Sequence, residues 1–147
     1  MLPRLLLLLL LLPFAGAGAA AASPEAAGGF ILIGNRTGLE PPDEAEVRSI
    51  FRGDQAIWPT RETVLVVLPS ARAEFGERFA QRILQQNRTG MQRHWLTLVF
   101  QGRARSPVFL DSSSAIIDFV RRTPGAVAMV PASEPGIPRD LVISQRR

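Results

Sequence analysis

Val64-Leu65-Val66-Val67-Leu68-Pro69-Ser70-Ala71-Arg72 is the stretch on which the architecture turns. Its first five residues are apolar without a break and rich in β-branched Val, bounded by Thr63 and Pro69. Such a run reads as a strand buried on both faces, the habit of parallel sheets covered by helices. Ser70 stands where a side chain can cap a following helix. In that helix Phe75, Phe79 and Ile83 recur at four-residue spacing, while Glu77, Arg78, Gln81 and Arg82 take the opposite face.

The same strand-then-helix grammar extends in both directions. Phe30-Ile31-Leu32-Ile33, closed by Gly34, predicts an earlier buried strand. Pro41-Pro42 interrupts the chain, and Asp43 with Glu46 forms a capping-box pair for a short helix. Its stripe is Val47, Ile50 and Phe51, and Gly53 ends it. Downstream, Thr89 with Gln92 is a second capping pair, before Met91, Trp95, Leu98 and Val99 at helical spacing. Gln101 to Pro107 is a polar, Arg-rich loop, and Val108-Phe109-Leu110 a short strand. Asp111 and Ser112-Ser113-Ser114 open a helix whose stripe is Ile116, Phe119 and Val120. Thr123-Pro124-Gly125 stops it. Ala126 to Val130 is the next buried strand, and Leu141 to Ile143 is expected to add one more. The alternation predicts an α/β three-layer sandwich with a mostly parallel sheet.

Composition narrows the chemistry. Among 147 residues there is one His and no Cys or Tyr, and all 17 basic residues are Arg. Disulfides, thiolate nucleophiles, Cys-ligated metals and Lys Schiff bases are thereby excluded. No cofactor and no metal site is expected. Met1–Arg4, the Leu5–Leu12 run and the small residues Ala15–Ala22 have the order of a secretory signal peptide, with cleavage expected before Ser23. That apolar core is too short to cross about 30 Å of hydrocarbon, and no Cys stands at the cleavage zone to take a lipid. The expected division is a signal peptide over 1–22, a flexible Ala/Gly-rich lead-in over 23–29, and one α/β domain over 30–147. A mature product of about 125 residues, periplasmic or secreted and not membrane-spanning after cleavage, follows from that division. Its sixteen Arg against thirteen acids leave a net +3, interleaved along the chain, which gives no reason to expect nucleic acid. The all-Arg, Ala-rich usage suggests a bacterial source, in which the Asn-Arg-Thr triplets at Asn35 and Asn87 are coincidences; in a eukaryotic secreted chain they would be glycosylation candidates.

The titratable residues argue against an enzyme. His94 has no neighbouring Ser or Asp that would specify a triad, and reads as an ordinary helix residue. The acids sit at helix starts or in Glu/Arg faces, where capping and solvation explain them. Anion recognition is better represented. Three junctions carry hydroxyls where free backbone N–H groups point at solvent: Thr37-Gly38, Pro69-Ser70-Ala71-Arg72, and Asp111 to Ser114. N–H groups, hydroxyls and a forked Arg match a tetrahedral oxyanion, and in parallel sheets ligands gather at the carboxyl ends of strands. Asp111 would repel an anion unless the anion is protonated.

Ile50-Phe51-Arg52-Gly53 followed by Trp58-Pro59 resembles the Ile-Phe-x-Gly…Trp signature of periplasmic phosphate-binding proteins of ABC transporters. The order continues as in that family. The Val64–Leu68 strand, a Phe-bearing helix and the Trp95 helix precede Phe119-Val120…Thr123-Pro124-Gly125-Ala126-Val127, which is similar to the family's Pro-Gly-Ala-Ile-Gly-Tyr strand. The likeness covers Phe30 to Pro131 and resembles most the short, stand-alone members. It departs at Leu68-Pro69-Ser70-Ala71, where the family carries a Gly-Ser-Gly-Thr-like loop, and at Met129, where the family often has Tyr.

The resemblance implies one lobe of a type II periplasmic binding protein, and a solute-binding-like protein that recognises phosphate or a similar oxyanion without covalent chemistry. Ser70 would donate its hydroxyl, Arg72 would supply charge, and a helix beginning at Ala71 to Ala73 would add N–H groups, with Thr37 and Ser112 as further lining. Implied partners are an ABC permease, or a second lobe or copy that covers the anion. The alternative is an accessory interaction domain that keeps the fold without a ligand.

Overall fold

The computed structural model describes residues 29–145. The signal peptide expected over 1–22 and the lead-in up to residue 28 lie outside the described residues. The elements run β1 (Phe30–Gly34), α1 (Glu44–Phe51), β2 (Leu65–Pro69), α2 (Gly76–Leu84), α3 (Arg88–Phe100), β3 (Val108–Leu110), α4 (Ser113–Arg122) and β4 (Ala126–Pro131). The four strands form one sheet in the order β1-β4-β2-β3. β4, β2 and β3 are parallel, whereas β1 runs antiparallel to β4, pairing Phe30 with Pro131 and Gly34 with Val127.

Alternation across the pleat sorts the strands into two faces. The registers put Phe30, Leu32, Met129, Val127, Val66, Leu68 and Phe109 on one of them. Phe30 meets Phe75 and Phe79 there, and Phe79 meets Phe51 edge-on at 5.5 Å. The helices α1 and α2 therefore cover this face, with α3 packed on α2. Ile33, Val67, Ala126, Ala128 and Val130 point the other way and are equally buried. α4, which touches all four strands, covers them with Ile116 and Val120. β4 is buried at every position, as a central strand between two helical layers must be. The chain is thus an α/β sandwich with a mostly parallel sheet.

Local chemistry explains most boundaries. Asp43 and Glu46 complete the expected capping box of α1, with Glu46 Oε2 accepting from Asp43 N at 2.8 Å. Gly53 follows α1 at φ +84°, and a Cβ there would come within 3.0 Å of the Trp95 indole. Ser112 caps α4 by accepting from Ala115 N. Three expectations are corrected. α2 begins at Gly76 after an N-cap, Phe75, that makes no side-chain bond; Ser70 to Phe75 forms turns, closed by Ala73 N to Ser70 O and Gly76 N to Ala73 O. α3 is capped by Asn87, which accepts from Gly90 N at 2.7 Å and leaves Thr89 inside the first turn. Leu141 to Ile143 is not a strand. Arg139–Leu141 is a 3-10 turn after Pro138, and Val142 makes an isolated bridge to Ile33.

Both Asn-Arg-Thr asparagines are structural. Asn87 is the α3 cap, and Asn35 Nδ2 donates to the carbonyls of Val120 and Arg121 at 2.9 and 3.0 Å, closing the end of α4.

Candidate functional site

The ladder between β2 and β3 runs one step past the strand: Ser70 N donates to Leu110 O at 2.8 Å. That bond seats Ser70 beside Asp111, although 41 residues separate them. The Ser70 hydroxyl donates to Asp111 Oδ1 and accepts from Arg72 N at 3.1 Å. The other carboxylate oxygen, Oδ2, lies 3.6 Å from the Arg72 guanidinium. Next to Asp111, Ser112 starts α4 and its hydroxyl shares a 3.1 Å hydrogen bond with that of Ser114. The first backbone N–H groups of α4 have no intrahelical acceptors, as at any helix start.

The structure thus places Ser70 and Arg72 on Asp111, with Ser112 next along the chain, at the carboxyl ends of two adjacent parallel strands. The geometry differs from the expected one. The helix start next to them is that of α4, not a helix at Ala71 to Ala73. Thr37 is elsewhere. Because β1 runs antiparallel, its carboxyl end lies beside Val127 at the amino end of β4. Thr37 is buried there and accepts from Leu39 N.

Two residues shape the site in ways that local sequence does not reveal. Asp111, expected only as a charge beside Ser112, is the acceptor around which Ser70 and Arg72 gather; its pairing across 41 residues has no local signature. Arg88, at the start of α3, donates to Ala71 O at 2.7 Å and so ties the Ser70–Phe75 turns to α3. Its backbone N–H bonds Glu77 at 3.1 Å.

His94 serves the fold: its Nε2 lies 2.8 Å from Arg52 O, at the end of α1. Among the described residues no group of three or more His, Asp or Glu is placed to hold a metal ion. No helix among them is long and apolar enough to cross a membrane.

Beside the Ser70 cluster, α3 and β3 bound a groove of about 550 Å³. Ser70 and Ala71 stand in its wall, with Trp95, Leu96, Val99, Pro107 and Phe109 forming an apolar surface.

No family model matches the chain, and no curated protein matches it in sequence. Among solved structures, an ABC-type phosphate transport receptor from Vibrio cholerae superposes with a TM-score of 0.54 at 13% identity. The match covers 74% of this chain and 43% of the receptor, so the chain spans less than half the receptor's length. The likeness is one of fold: this chain has the fold of one lobe of a periplasmic binding protein.

Proposed function

We propose that this chain is a non-enzymatic solute-recognition module that binds phosphate, or a similar protonated oxyanion, at the carboxyl ends of β2 and β3. The observation that carries the reading is the convergence of Ser70, Arg72 and Asp111 beside the start of α4. A helix start and a forked guanidinium attract an anion. Asp111 sets its protonation state: a carboxylate repels a fully ionised oxyanion but accepts a hydrogen bond from one that keeps a proton. Phosphate keeps one near neutral pH and sulfate does not, so the arrangement favours phosphate. The lobe-like fold shared with a phosphate transport receptor supports the same reading. A signal peptide over 1–22, periplasmic or secreted localisation and service to an ABC permease belong to this proposal.

The site is open to solvent, with the Arg72 and Asp111 side chains 85% and 57% exposed. Water competes for every donor, so a single lobe binds weakly unless a second lobe or copy covers it. Isothermal titration at neutral pH tests the proposal. Phosphate is expected to bind in the millimolar range and sulfate to bind more weakly. Asp111→Asn should reverse that order. Absence of heat with both anions, for protein shown by circular dichroism to be folded, contradicts it.

A second reading has its own observation. Asp111 already accepts the hydrogen bond of the Ser70 hydroxyl and faces Arg72, and the chain spans under half of the receptor. Both suit an accessory domain that retains the fold without a ligand. Thermal melts that respond to neither anion, together with a stable complex with a defined permease or second lobe, would favour that reading.

A further inference from the structure

The Ser70 cluster and the α3–β3 groove are continuous. Ser70 belongs to both: its hydroxyl bonds Asp111, and together with Ala71 it forms part of the groove wall. Away from Ser70 the lining turns apolar. Trp95 is almost fully buried in it, Leu96 is 58% exposed and Phe109 39% exposed. Side chains this apolar on a connected surface, not scattered singly, mark a binding surface. The volume lies within the range of small-ligand sites, which are mainly apolar with a few placed polar groups. Thr89, Gln92, Arg93 and Ser106 supply those groups at the rim.

Charge says what kind of molecule suits it. Arg93 is the charged residue in the groove lining, and among the described residues no ion pair engages it, so the groove offers a cation to an anionic ligand.

We propose that the ligand is an organic phosphate, a monoester of an aryl or branched alkyl alcohol, bound as the singly charged form that keeps a proton for Asp111 and that predominates only below about pH 6. Its anionic head is held at Ser70 and Arg72, and its apolar body lies on Trp95, Leu96, Val99 and Phe109. This inference rests on the anion site proposed above and names its substrate class. Bare phosphate leaves the groove empty; a monoester fills it, and removing apolar surface from water adds affinity.

Titrations with inorganic phosphate, phenyl phosphate and phenol at pH 6.0, where a phosphomonoester is about half protonated, separate the possibilities. Phenyl phosphate is expected to bind about tenfold more tightly than phosphate, from the apolar area it buries, and phenol to bind undetectably. Leu96→Gln and Phe109→Ser, at exposed positions that the fold tolerates, should bring that ratio down to about threefold or less. Equal affinities for phosphate and phenyl phosphate would overturn the groove's role and leave the anion site standing. Phenol binding as tightly as phenyl phosphate would also overturn it, because the head would then contribute nothing. Failure of both phosphates to bind would overturn the anion site itself.

Discussion

The two ends of the sheet are built from different kinds of bond. At the amino end of β4 the contacts are buried and anchored on the backbone. Trp58 Nε1 donates to Gly125 O at 2.8 Å, Gly125 N donates to Asn35 O at 2.8 Å, and a Cβ on Gly125 would lie 2.2 Å from Thr63 O. At the carboxyl ends of β2 and β3 the contacts are exposed and run between side chains: Ser70, Arg72, Asp111 and Ser112. Burial makes the first end costly to disturb, because an unpaired buried group or a forced backbone loses its full desolvation or strain energy. Exposure makes the second end inexpensive to change, because water replaces what is removed. Groups that stability does not need are the ones available to a ligand.

The comparison can be broken from its strong end first. Gly125→Ala adds a methyl against the Thr63 carbonyl at φ +82°, and should cost about 3 kcal/mol or more from strain and overpacking. Chemical denaturation should find it largely unfolded or far less stable. Trp58→Phe keeps an aromatic ring but removes one of the two donors to the Gly125 carbonyl, which retains the bond from Leu65 N, a loss of about 1.5 kcal/mol by the same measurement. Asn35→Ala removes the donor that closes α4 and should cost about 1 kcal/mol. At the other end, Ser70→Ala is expected to shift stability by about 0.5 kcal/mol or less while weakening phosphate binding. If Ser70→Ala proves as destabilising as Trp58→Phe, the cluster is a structural brace and the contrast between the ends fails.

The strong end was largely legible in the sequence and the weak end only in part. Gly53 and Trp58-Pro59, and the Thr123-Pro124-Gly125 stop, stand out because turns and tight packing demand particular residues. The buried runs Val64–Leu68 and Ala126–Val130 declare strands because a central strand cannot carry polar side chains. Strand direction has no such signature. Period-two alternation reads the same either way, and the antiparallel course of β1 carried Thr37 to the end of the sheet opposite Ser70. Ser70 was recognised as a helix cap because residues of its type usually are; its neighbour across the ladder, Asp111, claimed it instead. Ser112 was read correctly because its cap is a local event, made three residues away. Arg88 was missed, and Asp111 was read only as a charge beside Ser112, for the converse reason: their partners are set by tertiary pairing.

The direct test follows amide chemical shifts of isotope-labelled protein during titration with phosphate. Shifts concentrated at Ser70, Arg72, Asp111 and Ser113, with the amides from Gly34 to Leu39 unmoved, are the predicted result. Shifts centred on Gly34 to Leu39, or none at millimolar phosphate in folded protein, would contradict an anion site at the carboxyl ends of β2 and β3.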